Sequence, residues 1–177
     1  IRDRFNPYYV LVGQQLADDH VGMRVTMQYV LWDYFRELGE KHVGGHKVVR
    51  EDEEGEEYDV HVGERLRKLL HMARAYGYWI ARGALTLLVL KTVDFTALHE
   101  AGTLFLQHLL LHTFLMSQTR LPMLTPRARQ NLLRAPSQVD RERIEQLLVR
   151  GTVGQPRLAQ GLFVFCHMHL PRETLAT

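Results

Sequence analysis

The side chains best equipped for chemistry in this chain are its ten histidines and its single cysteine, Cys166. His108 and His112 stand four residues apart in a leucine-rich run. On a helix both imidazoles would share one face, the spacing that two zinc ligands need. No third ligand accompanies them. His99-Glu100 opens like a helical metalloprotease motif, but Thr103 stands where its second histidine must be. His42 and His46 fall in a glycine-rich stretch that reads as a loop. His167 and His169 flank Met168 beside Cys166, and alternate residues on a helix face different ways, so the pair cannot chelate together. Histidines packed or hydrogen-bonded within a helical core are the preferred reading. No metal site and no cofactor are expected.

Nucleophilic catalysis has few candidates. Ser117 and Ser137 are the only serines, and neither sits in an elbow motif. A lone cysteine on an apolar helix face is usually a small core residue, so Cys166 carries no catalytic assignment. Gly44-Gly45 lacks the lysine and the following helix of a phosphate-binding loop. Carboxylates cluster in the acidic run Glu51 to Glu57, where a solvated loop explains them. The chain is therefore expected to be no enzyme and to have no small-molecule substrate. The competing class, a zinc or thiol hydrolase built on His108, His112 or Cys166, would reveal itself by stoichiometric metal.

What remains is surface. The formal charge is only +2, yet arginine outnumbers lysine eighteen to four, and nine arginines fall between Arg120 and Arg172. Arg127, Arg129, Arg134, Arg141, Arg143 and Arg150 could line a basic flank for RNA phosphates or an acidic partner. The alternative is a solvated helix face, with Arg141 and Arg143 screened by Asp140, Glu142 and Glu145. The acidic run could in turn oppose a basic partner.

The elements that must position these residues read as helices. Val21 to Leu38 is the centre: Met23, Met27, Val30, Leu31, Tyr34, Phe35 and Leu38 recur every three or four residues and form one stripe. Val25, Tyr29 and Trp32 mark a second face, which predicts cover from two sides. Gly39 is the stop. Asn6-Pro7 starts a preceding helix to about Ala17, making an antiparallel hairpin. From Gly39 to about Asp59 periodicity vanishes. Leu66, Leu69, Leu70, Ala73 and Tyr76 restore it, with Gly77 as a stop and a second hairpin through Trp79 and Ile80 into a helix at Leu85 to Val93. Thr96 is expected to cap a core helix, Ala97 to Met116. After a proline-containing loop with one short helix near Arg127 to Leu133 come a helix with Ile144, Leu147 and Leu148 inside, stopped at Gly151, and a last helix from Pro156 to about Leu170. The expected class is all-α: stacked antiparallel helix hairpins in a HEAT-like array of seven or eight helices.

The division follows: a first hairpin at 1–38, an acidic insertion or linker at 39–63, a helical core at 64–116, a proline-containing loop at 117–136 and C-terminal helices at 137–177. With 46% hydrophobic residues the chain can bury a real core. One cysteine allows no internal disulfide and suits a reducing compartment. The longest apolar run, Ala84 to Leu90, is too short to span a bilayer, so no membrane partner is expected. The polar start at Ile1, without a methionine, suggests a piece of a longer polypeptide. Such a piece should expose apolar surface where further helices would sit.

Asn6-Pro7-Tyr8-Tyr9, then Thr26-Met27-Gln28-Tyr29-Val30-Leu31-Trp32-Asp33-Tyr34-Phe35-Arg36, then Leu90-Lys91-Thr92-Val93-Asp94-Phe95 come in an order and spacing that resemble one family. It comprises the nucleolar proteins that join a middle domain of initiation factor 4G to an MA-3 domain. The resemblance implies that 1–38 is the rear of the MA-3 domain and the remainder its C-terminal extension, within an MA-3-type helical repeat array. It further implies a scaffold in ribosome biogenesis, acting in the nucleolus in small-subunit pre-rRNA processing. Partners would be proteins of the early pre-ribosomal particle and its pre-rRNA. A DEAD-box helicase of the initiation factor 4A type would be engaged by the middle domain, which this piece lacks. A spliceosomal scaffold of the same two-domain architecture is the alternative.

Overall fold

A computed structural model describes residues 5–45, 60–120 and 139–170. Among them the chain forms six α-helices, one short 3-10 turn and no strand, an all-α fold as expected. The acidic run and the short helix expected near Arg127 to Leu133 lie outside the described residues.

The first hairpin follows from local signals. Asn6 caps α1 (Pro7–Asp19), its side-chain oxygen accepting from the Tyr8 amide at 3.0 Å, and Pro7 fills the first helical position where no amide is needed. His20 alone separates α1 from α2 (Val21–Glu37), and α2 ends as expected at Gly39, which holds a left-handed φ of 102°. Met27, Leu31, Tyr34 and Phe35 are buried, but Val30 of the expected stripe is 46% exposed. The second face is not covered either: Val25 and Tyr29 stay largely in solvent, and only Trp32 is buried. Its indole has a partner that hydropathy cannot reveal, the Val89 carbonyl at 2.7 Å.

The stretch after Gly39 is not loose at its start. Val43 is buried, its carbonyl accepts from Arg36 Nε at 3.0 Å, and the Gly44 amide donates to Thr92 Oγ1 at 3.1 Å. The next helix, α3 (Val60–Ala81), begins before Gly63 and runs through Gly77, the expected stop. Gly77 is there for a close approach. A Cβ on it would lie 2.7 Å from His112 Cβ and 3.0 Å from both Leu109 O and Thr113 N of α4 (Glu100–Ser117), so the two backbones meet there. Leu69, Ala73 and Tyr76 of α3 are buried as the spacing requires, whereas Leu66 is exposed.

No helix forms at Leu85 to Val93. Only Leu87–Leu90 winds, as a single 3-10 turn capped by Thr86, and the segment around it is irregular. It is nonetheless core, because Leu85, Leu87, Val89, Leu90 and Val93 are all buried. Thr96 does not cap α4: it turns back on Asp94, its amide and hydroxyl both donating to Asp94 Oδ1, and His99 precedes the helix.

This irregular limb lets α3 and α4 run in the same direction. Tyr34 of α2 packs on Phe105 in the first half of α4 and lies under Lys68 in the first half of α3. Gly77 then meets Leu109 to Thr113, and Ile80 to Arg82 share a cleft with Ser117. The limb from Arg82 to Leu98 is therefore the descending partner between two ascending helices. The antiparallel hairpin expected at this point exists as a reversal of the chain, with one arm not helical.

Two helices close the fold: α5 (Arg141–Thr152), capped by Asp140, and α6 (Pro156–His169). Gly151, the expected stop of α5, is helical and buried, and a Cβ there would meet Leu87 Cβ at 2.7 Å. One continuous core links α2, α3, the limb, α4 and α6, with Phe35, Phe105, Leu106, Leu109, Leu110 and Phe165 at 1% exposure or less. Full burial of one such side chain is worth about 1.5–3 kcal/mol.

Candidate functional site

A polar concavity lies where the end of α3 and the descending limb meet α5. It encloses about 300 Å3, with Leu85, Leu87 and Leu147 on its floor and Arg82, Arg143 and Arg150 among its walls. Among the described residues no acidic side chain lines it, and Gln146, Thr86 and Ser117 supply further hydrogen-bonding groups. Helical geometry sets the wall: Arg143, Gln146 and Arg150 follow at steps of three and four, one turn apart on a single face. Arg143 is held at its base, donating through Nε to Asp140 Oδ2 at 2.8 Å and through Nη1 to the Ser117 carbonyl at 3.4 Å. Arg82 stacks its guanidinium over the Tyr78 ring at 5.4 Å. Guanidiniums stay charged at any physiological pH, so the cleft is suited to hold an anion.

Of the six arginines singled out in the sequence, the structure brings Arg143 and Arg150 together in this cleft. Arg141 is exposed on α5 and lines no part of it. Arg127, Arg129 and Arg134 lie outside the described residues. Arg82 was missed, because a helix read as ending at Gly77 leaves it adrift in a supposed turn. The Arg82-Gly83 pair was the available signal: Gly83, with φ of 81°, is the left-handed residue just past the true end of α3.

The histidines have structural surroundings. His108 and His112 are both half-buried and engaged by other groups. Among the described residues no three of His, Cys, Asp and Glu come together to hold a metal. His99 donates its backbone N–H to the buried Glu40 carboxylate at 2.8 Å, and its Nδ1 lies 3.4 Å from the other carboxylate oxygen. His167 stacks on Phe163 and His169 leans on Phe165. Burial pushes the Cys166 thiol up to about 11, so it is almost wholly protonated at neutral pH and a poor nucleophile. Ser117 Oγ donates to the Phe114 carbonyl.

A second, larger concavity of about 560 Å3 opens between α1 and α3. Phe5, Tyr9, Met72 and Trp79 make it apolar, and Arg67 and His71 stand on its rim. His71 is held below its ordinary value by burial and then by Arg74 and Arg67. Beside this groove, α1 turns Tyr8, Val12 and Leu16 to solvent at one-turn intervals, 73, 57 and 40% exposed. Val21, Val25 and Tyr29 form a similar exposed row on α2.

No family model and no solved structure matches the chain. A 102-residue stretch, 58% of the chain, is 28% identical to a protein of Schizosaccharomyces pombe (strain 972 / ATCC 24843) called Suppressor of glycerol defect protein 1, and it spans 11% of that protein's length.

Proposed function

We propose that this chain is a non-catalytic docking module of a small-subunit ribosome precursor, working in the nucleolus during pre-rRNA processing. It would position neighbours by surface complementarity, beside an initiation factor 4A-type DEAD-box helicase held by another part of the polypeptide. The reading rests on the resemblance of the Asn-Pro-Tyr, Trp-Asp and Val-Asp-Phe blocks to the MA-3-containing nucleolar proteins. The 102-residue similarity to the fission-yeast protein is compatible with it.

The structural observation that carries the reading is the pair of bare apolar rows on α1 and α2. A helix exposing Tyr8, Val12 and Leu16 opposite a buried Val10, Gly13 and Ala17 has apolar residues on both sides, which is what an inner helix of a stack needs. Helical arrays present such faces to partners, and a few aromatic or arginine anchors dominate the contact. Crosslinking and mass spectrometry from a tagged copy of the whole polypeptide in cells tests it. Proteins of the early small-subunit precursor should dominate; spliceosomal proteins in their place would move the chain to the rival scaffold family.

A further inference from the structure

We propose that the cleft between Arg82, Arg143 and Arg150 binds the sugar-phosphate backbone of single-stranded RNA without reading its sequence. This deepens the proposed function and rests on it for which RNA would be met in the cell, while the binding itself is a property of the chain.

The length of the cationic wall favours a strand over a single phosphate. Arg143 and Arg150 are seven residues apart on α5, about 10 Å along its axis, with Gln146 between them. Donors repeating at each helical turn match a ligand whose negative charges also repeat. One phosphoserine would satisfy only one end of the row. Arg82 faces α5 from the end of α3, so charge stands on two sides of the cleft, and among the described residues the lining holds no carboxylate to oppose an anion. Asp140 engages Arg143 Nε and the Ser117 carbonyl engages its Nη1, which together orient that guanidinium, while Glu142 accepts from the Gln146 side-chain amide at 3.0 Å. The Thr86 hydroxyl can pair with phosphate or ribose oxygens.

Stacking a base needs an aromatic side chain, and among the described residues none lines this cleft, which leaves the backbone as the group to be held. The apolar floor of Leu85, Leu87 and Leu147 excludes water beneath the strand, which strengthens charge-assisted hydrogen bonds made above it.

The test is fluorescence anisotropy on the purified chain with fluorescein-labelled twelve-nucleotide oligouridine and oligoadenosine, from 50 to 300 mM salt. Both should bind within about twofold of each other, and log K should fall linearly with log salt, by about 0.7 per phosphate neutralised. R150Q, an exposed change, should weaken binding several-fold and flatten the slope by about 0.7; R82Q/R150Q should flatten it by about 1.4. Thermal unfolding verifies that each variant is folded. R141Q removes an equal charge from the same helix outside the cleft and should leave the slope nearly unchanged. The assignment is overturned if R141Q matches R150Q, if folded R150Q binds with the parent slope, or if a phosphoserine peptide or polyglutamate binds as tightly as oligouridine. Those outcomes would leave association with the small-subunit precursor intact, because the cellular crosslinking decides that separately.

Discussion

Two glycines inside the same helix should respond oppositely to one methyl group. At Gly77 the new Cβ meets the Leu109 carbonyl and the Thr113 amide, which cannot move without shifting α4. Gly77→Ala should therefore cost about 1–3 kcal/mol in urea unfolding, more than offsetting the helix-propensity gain of about 1 kcal/mol. Gly63 has nothing within 4 Å, so Gly63→Ala should stabilise by about 0.5–1 kcal/mol. Sequence alone cannot separate the two, since a stop and a close approach both require the missing side chain. It did find Gly39, where the end of the hydrophobic stripe marks the helix terminus locally. Cys166 gives a pH-dependent test of the site assignment. With its thiol raised to about 11 by burial, iodoacetamide should react only slowly at pH 8, and the rate should climb towards an inflection near pH 11 as long as the fold holds. The linkage has a definite sign. A thiol whose folded value exceeds its ordinary one adds stability that is present below about pH 9 and lost as pH rises towards 11. An inflection near the ordinary value would place the thiol in solvent.

At the scale of elements, the segment from Leu85 to Val93 separates the two kinds of information in this sequence. Its hydrophobicity correctly marks it as core; its conformation was not legible, because a short apolar run has no period long enough to distinguish a helix from an irregular buried limb. Tertiary partners decide. The Trp32 indole takes the Val89 carbonyl, and Thr92 Oγ1 takes the Gly44 amide, so polar groups freed from regular structure are satisfied by neighbouring elements. An irregular limb so enclosed should be as sensitive as a core helix. Leu90 and Leu109 are both fully buried, one on the limb and one on α4, and Leu90→Ala should cost about 2–5 kcal/mol, the same range as Leu109→Ala. Comparing their urea midpoints at unchanged slope would check this; a Leu90→Ala loss below about 1 kcal/mol would make the limb a loose cover. The basic cleft was half legible for a related reason. Arg143 and Arg150 sit on a helix whose spacing and cap at Asp140 are local signals. Arg82 reaches the same cleft only because α3 continues past Gly77.

For the whole molecule, the decisive quantity is apolar surface that folding leaves uncovered. α1 buries Val10 and Ala17 on one side and exposes Tyr8, Val12 and Leu16 on the other, while α2 exposes Val21, Val25 and Tyr29. Each row repeats at four-residue steps, so each is a continuous stripe on its helix. Burying such stripes is worth about 25 cal/mol per Å2, enough to drive association when no dedicated neighbour is present. In isolation the chain should therefore self-associate at micromolar concentrations, seen as a concentration-dependent sedimentation coefficient. Tyr8→Ser with Val12→Ser should shift that equilibrium towards monomer. Because both side chains are already in solvent, folding stability should change by less than about 0.5 kcal/mol for each substitution. That pairing of readouts matters, since a core substitution would lower the unfolding midpoint as well. A parent chain that stays monomeric at 100 μM would mean the stripes are too dispersed to act as a docking face. The proposed scaffold would then have to engage its neighbours through other surfaces, the arginine-lined cleft among them.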